Sequence, residues 1–205
     1  MKKLFLLALP FILFSCSSDS DSSSSSGGLV YISGKLDGTS FNYKFNNNES
    51  DEYFYSFLTG FDGEGFDRWY YYGGTMYTAS LSPAISIAWD NMVFTDDESV
   101  ETATFYDAFA DTPTNYLTQA QLDANLRGVD VQYEDNGTFY NTSYGSQAGS
   151  TFTVSSVTED TDPDGLLQAV TVKGTFSCKV YNSEDPTDFK TITDGKFKLI
   201  LQEYN

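Results

Sequence analysis

Histidine is absent from the 205 residues of this chain. Histidine is the usual general base near neutral pH and the commonest transition-metal ligand, so its absence removes His-based catalytic triads and histidine metal centres. A phosphate-binding glycine loop and a nucleophile elbow are also missing. Paired carboxylates can cleave a glycosidic bond, but 29 acidic residues offer too many pairs for any one to be informative. We therefore predict that the protein is not an enzyme, with a carboxylate-based glycosidase as the less favoured alternative.

Basic residues are scarce, with 11 Lys and Arg against 29 Asp and Glu and a formal net charge of −18. Removal of residues 1–15, argued below, takes away two lysines and brings the net charge to about −20. A chain this acidic repels phosphate backbones and anionic lipid headgroups. We expect no nucleic-acid partner, and attachment to a membrane has to come from an anchor rather than from surface charge.

The longest apolar run near the start, Leu4 to Phe14, is too short to cross a membrane. As a helix, its eleven residues would be ~16 Å long against a hydrocarbon core of ~30 Å. The run follows two lysines and precedes Ser15 and Cys16, which is the arrangement of a secretory signal. With Leu13 at the third position before the cysteine, the segment resembles a bacterial lipobox. An ordinary signal peptide with an incidental cysteine and a buried N-terminal strand or helix are the alternatives.

The lipobox resemblance implies that residues 1–15 are a signal peptide and that Cys16 becomes the mature N-terminus. Cys16 would then carry a thioether-linked diacylglycerol and an N-acyl chain. Because each buried methylene contributes ~0.8 kcal/mol, several chains make a stable anchor. The only other cysteine is Cys178, so a lipidated Cys16 leaves no pair for an intrachain disulfide.

Residues 16–28 form the lipidated cysteine and a Ser/Asp/Gly tether. The stretch after Cys16 contains no hydrophobic residue and cannot offset the entropy of ordering, and a linker of this length reaches roughly 17–21 Å. Asp19 and Asp21 resemble the acidic export signal of surface lipoproteins of Bacteroidota. The resemblance implies a lipid-anchored protein of the outer membrane that faces the cell exterior, with a periplasm-facing position as the alternative.

Residues 29–205 are predicted to form a single all-β domain. From Val170 to Val180, apolar and polar residues alternate strictly, which indicates a half-buried strand with Cys178 facing inward. After a loop at Asn182 to Asp188, a last strand alternates around Phe197 and completes a C-terminal hairpin. Further strands are predicted at Val30–Ile32, Phe41–Phe45, Tyr53–Leu58, Trp69–Tyr72, Met76–Leu81, Ile85–Trp89, Val129–Tyr133, Thr138–Tyr144 and from Phe152. Many short strands separated by turn signals favour an antiparallel β-sandwich or a jelly-roll-like fold.

Asp-Gly and Asn-Gly pairs mark the expected hairpin turns, since both residues accept a positive φ. Asn136-Gly137 is the strongest of these signals, and Asp-Gly occurs at residues 37, 62, 164 and 194. One short helix is predicted from an N-cap at Thr118 to Arg127, with Gly128 just past its end. Its leucines, Leu122 and Leu126, are expected to face the sheet.

Three strand-and-turn patterns resemble a family of uncharacterised small lipoproteins of Bacteroidota. They are Asp37-Gly38-Thr39 followed by Phe41, Val172-Lys173-Gly174-Thr175-Phe176, and Ile192-Thr193-Asp194-Gly195-Lys196-Phe197. The resemblance covers the two ends of the domain and not its aromatic middle. It implies a small, lipid-anchored, all-β domain and brings no catalytic residues with it.

The acidic stretch from Asp160 to Gly165 has the first half of a calcium-loop pattern. Asp160, Asp162 and Asp164 alternate before a glycine, so their carboxylates can converge on one hard cation. The twelfth position is Thr171, where a bidentate Glu is expected. The pattern predicts a possible Ca²⁺ site and no other cofactor; the alternative is an acidic hairpin turn.

Aromatic residues make up 17% of the chain, and four of them are consecutive: Trp69, Tyr70, Tyr71 and Tyr72. In a strand, two of the four face solvent. Exposed rings can stack on sugar rings, so these residues are a candidate ligand platform; a core strand with hydroxyls at its rim is the alternative. The leading prediction is a non-enzymatic surface binding module with a glycan as the preferred ligand. The second is an adhesion or structural subunit that packs on an outer-membrane protein.

Overall fold

The computed structural model describes residues 30–45, 52–62, 67–78, 82–95, 106, 109–110, 114–161 and 168–202. Cys16, the tether, Asp162 and Asp164 lie outside these residues, so the signal, anchor and calcium predictions stay predictions. Within the described residues, no helix has the length and apolar character needed to cross a membrane.

Ten strands, a short helix and a 3₁₀ turn make up the described fold. The strands are β1 Val30–Leu36, β2 Thr39–Phe45, β3 Glu52–Asp62, β4 Asp67–Thr78, β5 Ala84–Thr95, β6 Gly128–Asp135, β7 Thr138–Asn141, β8 Thr151–Thr161, β9 Gln168–Asn182 and β10 Phe189–Gln202. The helix α1 spans Gln119–Asp123, and the 3₁₀ turn spans Thr142–Tyr144. Tyr106, Phe109 and Ala110, between β5 and α1, are also helical.

All strand pairs are antiparallel, and they form two leaves of one curled sheet. The terminal leaf has the order β8-β9-β10-β1-β2, and the middle leaf has the order β7-β6-β5-β4-β3. Two residue pairs, Tyr140 with Asn182 and Asn141 with Tyr181, join β7 to β9 and so connect the leaves. The leaves also meet across the interior, where β2 contacts β3 and β4 and β10 contacts β4. The predicted all-β, sandwich-like class is therefore confirmed.

The core lies between the leaves and is centred on Trp89 of β5. Its indole meets three phenylalanine rings nearly edge to face, with ring centroids 5.4–6.1 Å apart; the three are Phe109, Phe152 and Phe197. Phe152 and Phe197 belong to the terminal leaf, so these contacts bind the two leaves together. Aromatic pairs of this geometry contribute about 0.5–1.5 kcal/mol each beyond the burial of apolar area.

The predicted C-terminal hairpin is confirmed in β9 and β10. One face of β9 is fully buried along its length: Val170, Val172, Gly174, Phe176, Cys178 and Val180. Cys178 is a free, buried thiol, and burial raises its pKa far above the ordinary value. The prediction that this cysteine acts as a small core side chain is therefore confirmed.

The edge of β9 forks between β7 and β8. β8 pairs with β9 as far as Ser177, and β7 pairs with β9 from Tyr181, so Lys179 faces neither strand. The side chain of Gln147 fills the gap: its Nε2 donates to the Lys179 carbonyl at 2.6 Å, and its Oε1 accepts from the Lys179 N–H at 3.1 Å. One side-chain amide thus takes the place of a strand residue at the fork.

The turn predictions are confirmed at two sites and wrong at a third. Asp37-Gly38 and Asn136-Gly137 close the β1–β2 and β6–β7 hairpins with positive φ at all four residues. Asp194, with φ 54°, instead lies inside β10, at a shift of register against β9. A Cβ on Gly195 would come within 2.5 Å of the Phe176 carbonyl, so this Asp-Gly pair forms a bulge that permits close packing of the strands.

Helix α1 begins as predicted but ends early. Thr118 forms a capping box with Gln121. The helix stops because Asn125 takes a positive φ, and the Leu126 N–H then bonds back to the Gln121 carbonyl in a Schellman arrangement. Leu126 is 48% exposed, so the expectation that it faces the sheet is wrong. Gly128, expected just past the helix, begins β6 instead.

The predicted strands Trp69–Tyr72 and Met76–Leu81 form one continuous strand, β4, through Thr78. From the sequence, Gly73 and Gly74 would be expected to separate these two strands. In the structure both glycines are buried, and they pair with Phe57 and Ser56 of β3 on one side and Ala88 and Ile87 of β5 on the other. The pairing on both sides keeps the strand continuous.

Candidate functional site

Several chain connections meet at one end of the two leaves, here called the turn end. The β1–β2 turn is tied to β10, because the Thr191 N–H donates to Asp37 Oδ1 at 2.8 Å and the Asp37 N–H donates to the Thr191 carbonyl. The β6–β7 turn is tied to the segment before β5, because the Asn136 N–H donates to Ser82 Oγ at 2.8 Å. These bonds hold the turns in place around the opening between the leaves.

A cleft of about 310 Å³ opens at the turn end between the two leaves. The residues that line this aromatic cleft are Leu36, Asp37, Thr39, Ser40, Phe41, Tyr43, Ile85, Tyr133 and Ile192. Ile85 and Ile192 are fully buried, whereas Asp37, Thr39 and Ser40 are exposed. The cleft therefore combines an apolar floor with a polar rim, the usual composition of a small-ligand site.

The rings of the aromatic cleft come from both leaves. Period-two alternation in β2 turns Phe41 and Tyr43 inward and leaves Asn42 and Lys44 exposed. The Phe41 and Tyr43 ring centroids lie 5.8 Å apart, with the planes tilted by 39°. Tyr133 of β6 contributes the third ring from the opposite leaf. These half-buried or buried rings offer ring faces and edges to a ligand without leaving the core.

Acidic groups surround the mouth of the cleft. Burial, followed by the nearby Asp135, Tyr43, Tyr140 and Glu134, raises the pKa of Tyr133 to about 12. The phenol is therefore neutral and a hydrogen-bond donor at neutral pH. Asp37 adds a carboxylate at the rim itself, where its bond from Thr191 fixes its position.

A second, open concavity of about 560 Å³ lies beside α1. Its described lining residues carry no charge: Tyr116, Thr118, Gln119, Ala120, Ser143, Tyr144, Gly145, Ser146 and Gln147. Several of these groups already bond to each other or to the backbone; for example, the Tyr116 hydroxyl donates to the carbonyls of Thr151 and Ser177. The concavity is open and its polar groups are partly used, so the aromatic cleft is the better-formed site.

Two buried carboxylates lie on the far side of the middle leaf from the core. Asp90 of β5 and Asp130 of β6 are only 4% and 3% exposed. The Asp130 carboxylate accepts from three side chains: Thr142 Oγ1 at 2.6 Å, Gln132 Nε2 at 2.7 Å and Asn141 Nδ2 at 2.9 Å. These donors stabilise its charged form.

Asp90 has a different environment from Asp130. Among the residues that the structure describes, its buried Oδ2 has no hydrogen-bond partner. Burial, with the charge of Asp130 as a second cause, raises the pKa of Asp90 to about 8, so the acid is largely protonated at pH 7. Neither carboxylate lines either concavity.

A bulge in β5 explains the position of Asp90. Tyr72 pairs with Trp89 and Tyr70 pairs with Met92, so two residues of β5 oppose Tyr71 alone. The extra residue reverses the alternation, and Met92 therefore joins the core that Trp89 occupies. Asp90 is one of the two residues of the bulge and lies on the face of β5 that points away from the core.

The predicted platform, Trp69 to Tyr72, lies in β4 between β3 and β5. The side chains of these four residues lie outside the described part of the structure, so the platform stays a prediction. The structure brings together other aromatic residues at the aromatic cleft. The sequence did show the alternation of Phe41 and Tyr43, but it carried no sign that Tyr133 meets them.

The calcium pattern falls largely outside the described residues. Asp160 belongs to β8, where it pairs with Ala169, and the ladder continues to Thr161 and Gln168. Thr171, at the twelfth position, lies within β9 and is buried. The calcium site and the hairpin turn both stay predictions, because Asp162 and Asp164 lie outside the described residues. Within the part of the chain that the structure describes, no group of three or more His, Cys, Asp or Glu residues could hold a metal ion.

A further feature is a group of outward-facing aromatic residues where β7, β9 and the start of β10 lie side by side. Phe189 is 46% exposed and Phe139 is 38% exposed. The Phe189 and Tyr181 ring centroids lie 5.6 Å apart with the planes tilted by 39°, and the Lys179 ammonium lies 5.2 Å from the Phe189 ring centroid. This surface is a candidate contact for another protein.

Comparisons of the chain with protein-family models, with curated protein sequences and with solved structures find no match. The resemblance to small lipoproteins of Bacteroidota therefore stays a prediction, and the function has to be argued from the chain's own residues.

Proposed function

We propose that the protein is a lipid-anchored binding module of the outer membrane, without catalytic activity, that binds a glycan in the aromatic cleft. The observation that carries this proposal is the cleft itself, in which three rings from two leaves surround an apolar floor beneath a rim of Asp37, Thr39 and Ser40. Sugar rings stack their C–H faces on aromatic rings, and carboxylates and hydroxyls bind sugar hydroxyls.

The chain's N-terminal features support the location. Lipidation at Cys16 would hold the domain to the membrane, and the tether would lift it from the surface. The large negative charge keeps an exposed domain soluble and away from anionic lipid. A module of this kind needs no bound cofactor, and a Ca²⁺ ion near Asp160 would be an addition to the site rather than part of it.

A glycan array tests the proposal on the chain carrying Cys16→Ser, run with Ca²⁺ and again with chelator. We expect binding that Phe41→Ala weakens at least about tenfold, which corresponds to about 1.4 kcal/mol. The matched control is Asn42→Ala, because Asn42 is the exposed neighbour of Phe41 in the same strand. Binding lost with Trp69→Ala but retained with Phe41→Ala would move the site to the predicted platform. A blank array in both conditions would refute glycan binding.

A partner subunit is the second candidate function, and the exposed Phe139 and Phe189 favour it. In this case the full-length lipoprotein, extracted in mild detergent, would migrate as a complex. Phe189→Glu would dissociate that complex, whereas Phe41→Ala would not. A monomer with and without the substitution would contradict this alternative.

A further inference from the structure

We infer that the aromatic cleft selects a cationic ligand group, so that the glycan it binds carries a protonated amine, as an amino sugar does. The inference rests on the proposed function and names the ligand chemistry of the same site. It depends on three features of the cleft: its rings, its charge and the contacts that lysines already make at the same end of the fold.

The rings provide the first argument. The face of an aromatic ring carries partial negative charge, and a cation within about 6 Å of a ring centroid is attracted to it, more strongly where water is excluded. Phe41 and Tyr43 lie 5.8 Å apart at an angle of 39°, so their faces are not stacked on each other. With Tyr133 opposite, the cleft has three rings between which one compact cation can contact more than one ring.

Charge provides the second argument. Asp37 is the only ionisable carboxylate or ammonium among the nine described residues that line the cleft, and the lining contains no Lys or Arg. Glu134 and Asp135 act on the Tyr133 hydroxyl from nearby. A cleft with low-dielectric walls and acidic groups at its mouth concentrates cations, and the net charge of −18 adds to this effect. A neutral sugar can hydrogen-bond to Asp37, but only a cation also gains from the negative charge of the surrounding carboxylates.

The third argument is that an ammonium group, that of Lys190, already lies against a ring beside the cleft. The Lys190 ammonium lies 4.9 Å from the Tyr140 ring centroid, and the Tyr140 ring lies 6.1 Å from that of Tyr133. Lys190 thus occupies the face of a ring next to the cleft. The cleft offers the same chemistry to an ammonium that comes from a ligand.

A pair of small probes tests the inference on the chain carrying Cys16→Ser. Choline carries a quaternary ammonium, and 3,3-dimethyl-1-butanol is its uncharged carbon isostere. We expect choline to bind at least tenfold more tightly than the isostere by NMR titration, with chemical-shift changes at Phe41 and Tyr43. Raising the NaCl concentration from 20 to 500 mM should weaken choline binding severalfold, because the carboxylates at the mouth are screened.

Matched variants distinguish attraction of the cation to the ring faces from simple filling of the cleft by an apolar side chain. Tyr43→Phe keeps the ring and should keep the preference for choline, whereas Tyr43→Leu should abolish it. Asp37→Asn should weaken choline about threefold or more at low salt without disturbing the turn, since Asn accepts a positive φ and retains the oxygen that bonds Thr191. Equal binding of the two probes, or no binding of choline, would overturn the inference.

A glycan comparison distinguishes this inference from the proposed function. Glucosamine oligomers should bind more tightly than N-acetylglucosamine oligomers of the same length, because acetylation removes the charge. Binding of neutral glycans alone, lost with Phe41→Ala, would refute the cationic preference and leave the proposed function standing. Binding of choline with a blank glycan array would refute glycan binding and leave the preference for a cation standing.

Discussion

The two leaves of the sheet are built in different ways. In the terminal leaf, β9 buries every second residue from Val170 to Val180, and the described ion pair of this leaf, Lys35 with Asp194, lies on the surface. The middle leaf carries a bulge at Asp90, a second buried carboxylate at Asp130 and the central indole of Trp89. The terminal leaf is therefore stabilised mainly by apolar packing, whereas the middle leaf also depends on buried polar groups with exact partners.

The difference shows where each leaf is sensitive to substitution. Surface charges cost little to remove because water replaces their partners. Buried polar groups cost much more, because a donor or acceptor left without its partner bears the full desolvation penalty. Three predictions follow in order of decreasing effect.

The largest effect is expected at Asp130. Asp130→Ala leaves the hydrogens of Thr142, Gln132 and Asn141 without their acceptor inside the middle leaf. We expect a loss of about 2–4 kcal/mol in the free energy of unfolding, measured by urea denaturation at pH 7. The control is Asp194→Asn in the terminal leaf, which keeps the positive φ and should shift the midpoint far less. Similar losses in both variants would remove the distinction between the leaves.

Replacement of Asp90, unlike that of Asp130, should stabilise the protein, and the size of the effect should depend on pH. Below about pH 4 the carboxyl is protonated in both the folded and the unfolded chain. Between about pH 4 and pH 8 the unfolded chain releases the proton while the folded chain keeps it, because the folded pKa is raised to about 8. Stability due to this group therefore falls as the pH rises through that window.

Asp90→Asn removes this ionisation and should flatten that part of the stability–pH profile. At pH 7.5 the variant should be more stable than the parent chain, and near pH 4 the difference should vanish. Chemical denaturation at a series of pH values measures the slope. Glu184→Gln, on the exposed β9–β10 loop, is the control that should leave the slope unchanged. An unchanged slope in Asp90→Asn would show that Asp90 is ionised in the folded protein.

The smallest effect is expected at the surface ion pair of the terminal leaf. The Lys35 ammonium lies 2.8 Å from Asp194 Oδ2, and the pairing raises the pKa of Lys35 and lowers that of Asp194. Both side chains are exposed, so we expect Lys35→Met to leave the denaturation midpoint unchanged within error, at low salt as well as high. A clear destabilisation that disappears with salt would show that charge pairing also stabilises this leaf.

The difference between local and long-range contacts explains how much of the fold the sequence predicted. The alternation in β9 and the Asn136-Gly137 turn depend on neighbours along the chain, and both were predicted from the sequence. Asp194-Gly195 has the same composition as a turn, but its conformation depends on Phe176 of another strand. The bulge at Asp90 likewise appears only in the pairing with another strand, β4. In both leaves, local patterns predicted the features that neighbours along the chain decide and missed those that another strand decides.

The aromatic cleft was harder to predict because its parts are distant in sequence. Phe41 and Tyr43 were predicted as an alternating strand, and Tyr133 as part of another. Their meeting depends on the curl that brings β2 opposite β5 and β6, and no residue spacing encodes that curl. The consecutive aromatic residues from Trp69 to Tyr72 were more conspicuous, but conspicuous composition in one segment does not reveal which surfaces close around a cavity.

The fork at Lys179 has a consequence for how the native protein opens. Most strand amides exchange with solvent only when a whole strand separates from its neighbour. The Lys179 amide is protected instead by the Gln147 side chain, which a single rotamer change can remove. Hydrogen exchange at this amide should therefore be faster than at its strand neighbours, and the leaves should begin to part here.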